Sequence, residues 1–377
     1  MVPKIKIIGI LILCVVRFIF RGKAAKKVID PKKIVVAQLA HLGDMVCTTP
    51  VFRAIKKRFP DCRVVVTGNS RVNEELLDNN PDVSGYIAYN REFFSFLRAV
   101  RREKFDAGLI VVPNFITLAV FYLAGIPSIV AAELKNENTP NQTWSYRFIH
   151  RFVQDSQLFY GQYFPRQYLR VLEPLGIFSE DTTKHLGFSS EAQVKINRFI
   201  KNNGNQGVIV IGISPSAGNK IKNWPVDRFA KLADYIYEKY RATIVIIGSA
   251  MDKNEVENMI KHLKPDTKVI NTLNVFNIDE LKALIASLDL FIAVDTGPIY
   301  IAEAFRIPTL DITGPIDETE QPPIGPLHLI VTAQNRKRPE MHVMNARDYD
   351  YTEARRQVEE ITPAMVIEKM EEIMKQL

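Results

Sequence analysis

The sequence predicts two successive parallel α/β domains behind a short hydrophobic N-terminal segment. Three observations predict it. The 377 residues exceed what one ordinary core organises and fit two domains of typical size. From Pro31 onward, β-rich apolar runs alternate with helical patterns, as strands joined by crossover helices do. The alternation pauses and restarts around KNNGNQG, residues 201 to 207, whose Gly/Asn punctuation marks a domain junction.

The first element is the apolar run IIGILILCVVRFIF, residues 7 to 20, with lysines before it and a basic cluster after it. A helix over this run covers roughly 21 Å, short of the roughly 30 Å hydrocarbon core of a bilayer. It reaches across only if residues from Val2 onward join it while Lys4, Lys6 and Arg17 snorkel. No small-residue cleavage site follows closely, so an uncleaved membrane anchor over residues 1 to 30, spanning or lying in the interface, is expected. The basic flank predicts that the body of the protein lies on the cytoplasmic side.

The net charge of +7 is confined to this end. Residues 1 to 33 hold nine of the 49 Lys/Arg and one of the 42 acids, which leaves 40 basic against 41 acidic residues elsewhere. A general nucleic-acid surface is therefore not expected. Cys14, Cys47 and Cys62 form neither a disulfide framework nor a zinc spacing, which points to a reducing compartment.

In the first half, strands are predicted over 33 to 39, 63 to 68, 85 to 90, 105 to 112 and 127 to 133, with helices including 92 to 103 and 114 to 124. The stretch 134 to 190, rich in aromatic and polar residues, predicts irregular helices and connections. The second half repeats the pattern with strands over 207 to 213, 242 to 248, 268 to 271, 290 to 294, 308 to 313 and 328 to 333. A last helix, 363 to 376, starts with Pro363 behind Thr362. The expected domains are 31 to 190 and 191 to 345, with 346 to 377 packing back toward the N-terminal domain.

Open α/β sheets bind ligands beyond the carboxyl ends of their strands, so the loops there are where chemistry is expected. AHLGDM follows the first strand, and its Asp44 either caps a helix or reaches into a cleft. SPSAGNKIKNWP follows the strand 207 to 213 and offers the hydroxyls of Ser214 and Ser216, exposed backbone at Gly218, and the ammonium groups of Lys220 and Lys222, a set that could hold phosphate. VDTGPIY places Asp295 after a strand and Thr296-Gly297 before a helix opened by Pro298, where backbone N–H groups could meet a diphosphate. Asp252 and Phe276 lie in two further post-strand loops, an acceptor and an apolar ring of the kind a ribose and a base require, although Asn277 with Glu280 reads as a capping box. No G-x-x-x-x-G-K-[ST] or G-x-G-x-x-G occurs, which weakens the NTPase and dinucleotide readings. Asp348 and Asp350 read as solvated rather than metal-binding.

Three stretches together resemble glycosyltransferase family 9, the heptosyltransferase family of lipopolysaccharide assembly: IVVAQLAHLGDMVCTTPVFRAIKKRFPDCRV, KNWPVDRFAKLA and VDTGPIYIAEAFRIPTLDITGPID. ITPAMV, residues 361 to 366, is similar to the family's closing helix. The resemblance implies a GT-B fold, two Rossmann-like domains facing a central cleft, and inverting transfer from a nucleoside diphosphate sugar without metal or other cofactor. It implies Asp44 as the general base and Lys222 as the cation neutralising the departing diphosphate, with Ser216, Ala217 and Gly218 lining it. Asp295 would hold sugar hydroxyls, Thr296 and Gly297 would donate to phosphate, and Asp252 and Phe276 would meet ribose and base. Tyr300 stands where the family usually has His, and the cysteines often found near the family's C-terminus are absent.

The implied partners are a nucleotide-sugar donor such as ADP-heptose, a lipid-linked saccharide acceptor and the cytoplasmic face of the inner membrane. Two other readings fit the same residues: a GT-B transferase or epimerase acting on a UDP-sugar, and a catalytically silent glycan-binding scaffold.

Overall fold

The computed structural model describes residues 4–89, 92–137, 139–204 and 209–377, with side chains from Lys6 onward. The first three residues of the expected anchor, Asn90 at the end of one expected strand, and residues 205 to 208 of the expected junction and the strand after it lie outside the described residues. The chain divides into two compact units, Met1–His185 and Leu186–Leu377.

The first unit carries six parallel strands: β1 (Lys33–Ala37), β2 (Arg63–Gly68), β3 (Gly85–Ala88), β4 (Ala107–Ile110), β5 (Ser128–Leu134) and β6 (Gln154–Leu158), in the order β3-β2-β1-β4-β5-β6. Ile34, Val35, Val36 and Ala37 are all buried, as a central parallel strand covered on both faces requires. The helices are α1 (Lys4–Arg21), α2 (Leu42–Arg58), α3 (Arg71–Leu77), α4 (Phe93–Glu103), α5 (Phe115–Ala124), α6 (Trp144–His150) and α7 (Phe164–Leu169). Strand β6 falls in the stretch expected to be irregular. Its sequence, QDSQL, has no apolar run to announce a strand, because it sits at the sheet edge and pairs only with β5.

The N-terminal apolar run forms α1, and here the expectation of a spanning anchor standing apart from the body is corrected. Ile10, Leu11 and Cys14 are buried in the core of the first unit against α5 and α6. Phe18 stacks on Phe152 at 4.4 Å, and the Arg17 guanidinium lies 4.1 Å from the Tyr122 ring centroid. Beyond the helix, Tyr122 donates to the Gly22 carbonyl at 2.8 Å, and Ala25 bridges to Ser128 of β5. No described helix is long and apolar enough to cross a membrane. The physical reason is α5: FITLAVFYLA is apolar all round, with nine of its ten residues buried, and α1 covers part of it.

The second unit repeats the architecture with β7 (Val210–Ser214), β8 (Thr243–Ile246), β9 (Val269–Asn271), β10 (Leu290–Val294), β11 (Thr309–Ile312) and β12 (His328–Val331), in the order β12-β11-β10-β7-β8-β9. Its helices are α8 (Ser190–Asn203), α9 (Val226–Tyr240), α10 (Lys253–Lys261), α11 (Ile278–Ile285), α12 (Gly297–Ala304), α13 (Tyr351–Glu360) and α14 (Pro363–Met374). Numbered within its own unit, each sheet has the doubly wound order 3-2-1-4-5-6, whose switch points lie between β1 and β4 and between β7 and β10.

The C-terminal helix packs on α9 and beside β11 and β12, with Val366, Met370 and Ile373 fully buried in that core. The buried Trp224 donates its indole N–H to the Ile361 carbonyl at 2.8 Å, which ties the entry to α14 to the loop after β7.

Candidate active site

In the first unit, Asp44 is the third residue of α2, and its carboxylate accepts the His41 backbone N–H at 3.0 Å. It therefore does cap the helix, and it remains half-exposed at the carboxyl end of β1. The Thr-Thr-Pro that follows has a local explanation. Pro50 inside α2 cannot donate to the Val46 carbonyl, and the Thr49 hydroxyl does so instead at 2.7 Å. Thr48 bonds back to the Asp44 carbonyl at 2.8 Å and accepts Gln38 Nε2 at 3.0 Å. The backbone carrying Asp44 is thus held from both the helix and the residue after β1.

In the second unit, the loops after β7, β8 and β10 converge through two hydrogen-bonded groups. In the first, Ser216 donates to Asp252 Oδ1 at 2.7 Å, and Lys220 reaches Ser216 Oγ at 2.7 Å, Asp252 Oδ1 at 3.0 Å and Glu255 Oε1 at 2.9 Å. Asp252 also accepts the Ser249 N–H and hydroxyl, each at 2.8 Å. Burial pushes its carboxyl up, but the Ser249 N–H, the Ser216 hydroxyl and Lys220 outweigh it and hold the group below its ordinary value. Ala217 N–H donates to Asn223 Oδ1 at 2.8 Å, which shapes the loop. A Cβ added at Gly218 would meet nothing within 4 Å, so this backbone is open to a ligand.

The second group is centred on Asp295, which is 7% exposed just beyond β10. Lys222 Nζ lies 2.8 Å from its Oδ2, and Tyr300 donates to its Oδ1 at 2.6 Å. Burial opposes the charge on Asp295, yet Lys222 and the Tyr300 hydroxyl together hold its carboxyl below the ordinary value. Tyr300 is thus a donor to the site carboxylate. Thr296 takes the N-cap position of α12, and Gly297 and Pro298 open it, so the N-terminal end of the helix dipole lies just beyond Asp295.

Phe276 is engaged elsewhere: its ring meets Phe199 of α8 edge-on at 5.0 Å. Lys220, read from the sequence as a phosphate-binding charge beside Lys222, is here paired with Asp252 and Glu255. The residues that sequence reasoning did not assign are Asn223, Glu255 and, on β11, Asp311; Asn223 was within reach as a polar neighbour of Lys222, whereas Glu255 and Asp311 carry no local signal.

Among the described residues, two groups of side chains bring metal-type ligand atoms within 4.8 Å of one another, Glu133/His150/Asp155 and Asp317/Glu320/His342, although neither has a recognisable sequence spacing. In the first, Lys135 is already paired with Glu133 and lies 3.5 Å from Asp155. In the second, His342 Nδ1 is 3.0 Å from Glu320 and 3.6 Å from Asp317. None of these residues belongs to the two groups above.

The model of glycosyltransferase family 9 (heptosyltransferase) matches residues 93–349. The chain belongs to this family. This glycosyltransferase is 25% identical over 294 residues to lipopolysaccharide heptosyltransferase 3 of Escherichia coli K12, covering 74% of this chain and 81% of that one. Among solved structures, the family 9 glycosyltransferase of Veillonella parvula aligns with a TM-score of 0.75 at 21% identity, covering 94% of this chain and 100% of that one. The E. coli ADP-heptose heptosyltransferase II aligns with a TM-score of 0.72 at 18% identity, covering 91% and 99%. The transferase therefore has the two-domain, Rossmann-like GT-B fold.

Proposed function

We propose that the enzyme transfers a heptose from ADP-heptose, with inversion, to a lipid-linked saccharide of the lipopolysaccharide type. The observation that carries this is the Lys222–Asp295–Tyr300 group beside the start of α12, at the switch point of the second sheet. In-line attack at an anomeric carbon leaves negative charge on the departing diphosphate, so a cation and oriented N–H groups are needed there. Lys222 and the N–H groups at Thr296 and Gly297 are suited to that role, with Ser216, Ala217 and Gly218 lining the phosphates and Asp252 meeting the ribose. Asp295 orients sugar hydroxyls, and Asp44 takes the acceptor proton. Phe276 as a base platform requires its ring to serve both Phe199 and the nucleotide. With these cations and dipoles supplied by the chain, the reaction proceeds without metal.

We also propose that the enzyme works at the cytoplasmic face of the inner membrane, with the outer side of α1 lying in the lipid interface. Ile12, Ile19 and Phe20 on that side are each more than half exposed, and the basic flank favours anionic headgroups.

The test is a screen of ADP-, UDP-, GDP- and CDP-sugars for binding, followed by transfer to a lipid-saccharide extract by wild type and Asp44→Asn. Transfer that persists unchanged in the Asn variant removes Asp44 as the base. Preference for a UDP-sugar replaces the donor, and binding of no nucleotide sugar leaves a glycan-binding scaffold as the better account.

A further inference from the structure

Asp311 lies in β11 opposite Ala293 of β10 in the parallel register, and Asp295 follows Ala293 by two residues. Alternation puts Asp311 on the face of the sheet that Ala293 shares, and Asp295, in the bend just past β10, lies close enough for its charge to act on the Asp311 carboxyl. The residue between them in the register carries only a methyl group. Asp311 is 1% exposed, and its Oδ1 has no hydrogen-bond partner. In a close-packed interior such an orphaned carboxyl oxygen carries a cost, so its presence calls for a reason.

The charges around the two carboxyl groups give that reason. From the turn after β7 comes one ammonium, Lys222, bonded to Asp295; from α12 comes the Tyr300 hydroxyl, also bonded to Asp295. Across the register from Ala293 stands Ser214 on β7, and on the β12 side of Asp311 stands Ile330. One cation thus faces two buried carboxyls. Burial and the Asp295 charge push the Asp311 carboxyl well above the ordinary carboxylate range, while Lys222 offsets this only in part.

We propose that Asp311 is a positioning residue for the donor site: a carboxylic acid that keeps its proton and donates a hydrogen bond to Asp295 when Lys222 turns to the donor's diphosphate. Without it, recruiting Lys222 to phosphate leaves Asp295 buried with Tyr300 as its remaining donor. With it, the carboxyl pair carries one negative charge before and after the turn, and no proton leaves the site. This rests on the reading of Lys222 as the diphosphate's partner.

Two measurements test it. Difference infrared spectra of the free protein at neutral pH should contain the carbonyl stretch of a protonated carboxyl, and Asp311→Asn should remove it. A wild type without that band, or a band that survives in the Asn variant, overturns the proposal whatever the substrate. The second measurement is ADP binding by calorimetry across pH, with Asp311→Asn, which can donate but not ionise, and Asp311→Leu, which can do neither. Wild-type affinity should fall at high pH while the Asn variant stays flat, and the Leu variant should bind roughly tenfold more weakly than wild type at neutral pH and than the Asn variant at every pH, about the worth of one hydrogen bond to a charged group. A correctly folded Leu variant that binds as tightly as wild type overturns the proposal and leaves the donor-site reading standing. A wild type that binds no nucleoside diphosphate overturns both.

Discussion

A carboxylate 7% exposed at the end of a central strand persists only because its partners are in place, and for Asp295 these are Lys222 and Tyr300. Lys222→Met leaves that charge without its cation and should cost about 3–5 kcal/mol, readable by denaturant unfolding. Tyr300→Phe should cost about 1.5–3 kcal/mol, and Tyr300→His, which keeps a donor, should recover part of the loss. Equal stability of the Phe and His variants would contradict a donor role for this side chain. The two carboxyls also set opposite pH trends. Asp295 is depressed, so its contribution is present above the unfolded Asp value and is lost as pH falls through the folded one. Asp311 is raised, so the folded state holds a proton that the unfolded chain releases, and stability declines as pH rises from the unfolded Asp value toward the folded one. Asp311→Asn should therefore raise Tm at neutral pH and leave it nearly unchanged near pH 3, by calorimetry. The sequence made Asp295 legible through the loop it opens. Asp311 was not legible, because PTLDIT shows a single charged residue alternating with threonines in a short strand, and which residues face it is settled by pairing with β10.

At the scale of elements, α1 shows why a hydropathy pattern can be read correctly as a helix and incorrectly as a separate anchor. The apolar run is continuous because two environments use it: one side packs on α5 and α6, the other is exposed. Substitutions should separate the two. Ile10→Ala, on the packed side, should cost about 2–5 kcal/mol in unfolding experiments. Ile12→Ser with Phe20→Ser, on the exposed side, should leave Tm unchanged and reduce sedimentation with anionic vesicles; undiminished binding would remove α1 as the lipid contact. Deleting residues 1 to 30 uncovers α5, so the truncated protein should aggregate rather than partition cleanly into a soluble fraction. Trp224 makes a similar point for the second unit. The W-P pair was legible as a motif, but its partner, the Ile361 carbonyl 137 residues later, was not. Trp224→Ala should cost about 3–5 kcal/mol and weaken ADP binding, since the same anchor holds the loop that carries Lys222.

At the scale of the molecule, the alternation of strands and helices announced two parallel α/β units, and the strand order within them came from long-range pairing that no local window contains. Each unit has its own core, and the assigned donor residues all belong to the second. ADP should therefore slow amide exchange over residues 214 to 223 and 295 to 300 in hydrogen-exchange measurements. Unprotected amides in both segments at saturating ADP would place the nucleotide elsewhere.

The docking of α1 also has a consequence for the order in which the chain is made. The Tyr122 hydroxyl that bonds the Gly22 carbonyl is encoded 100 residues downstream of it. At about 5–20 residues per second, α1 waits roughly 5–20 s for α5 to follow it out of the ribosome. Throughout that interval both of its apolar sides are uncovered on the nascent chain, which makes α1 a ready target for chaperones and for the lipid surface before the fold that claims it exists.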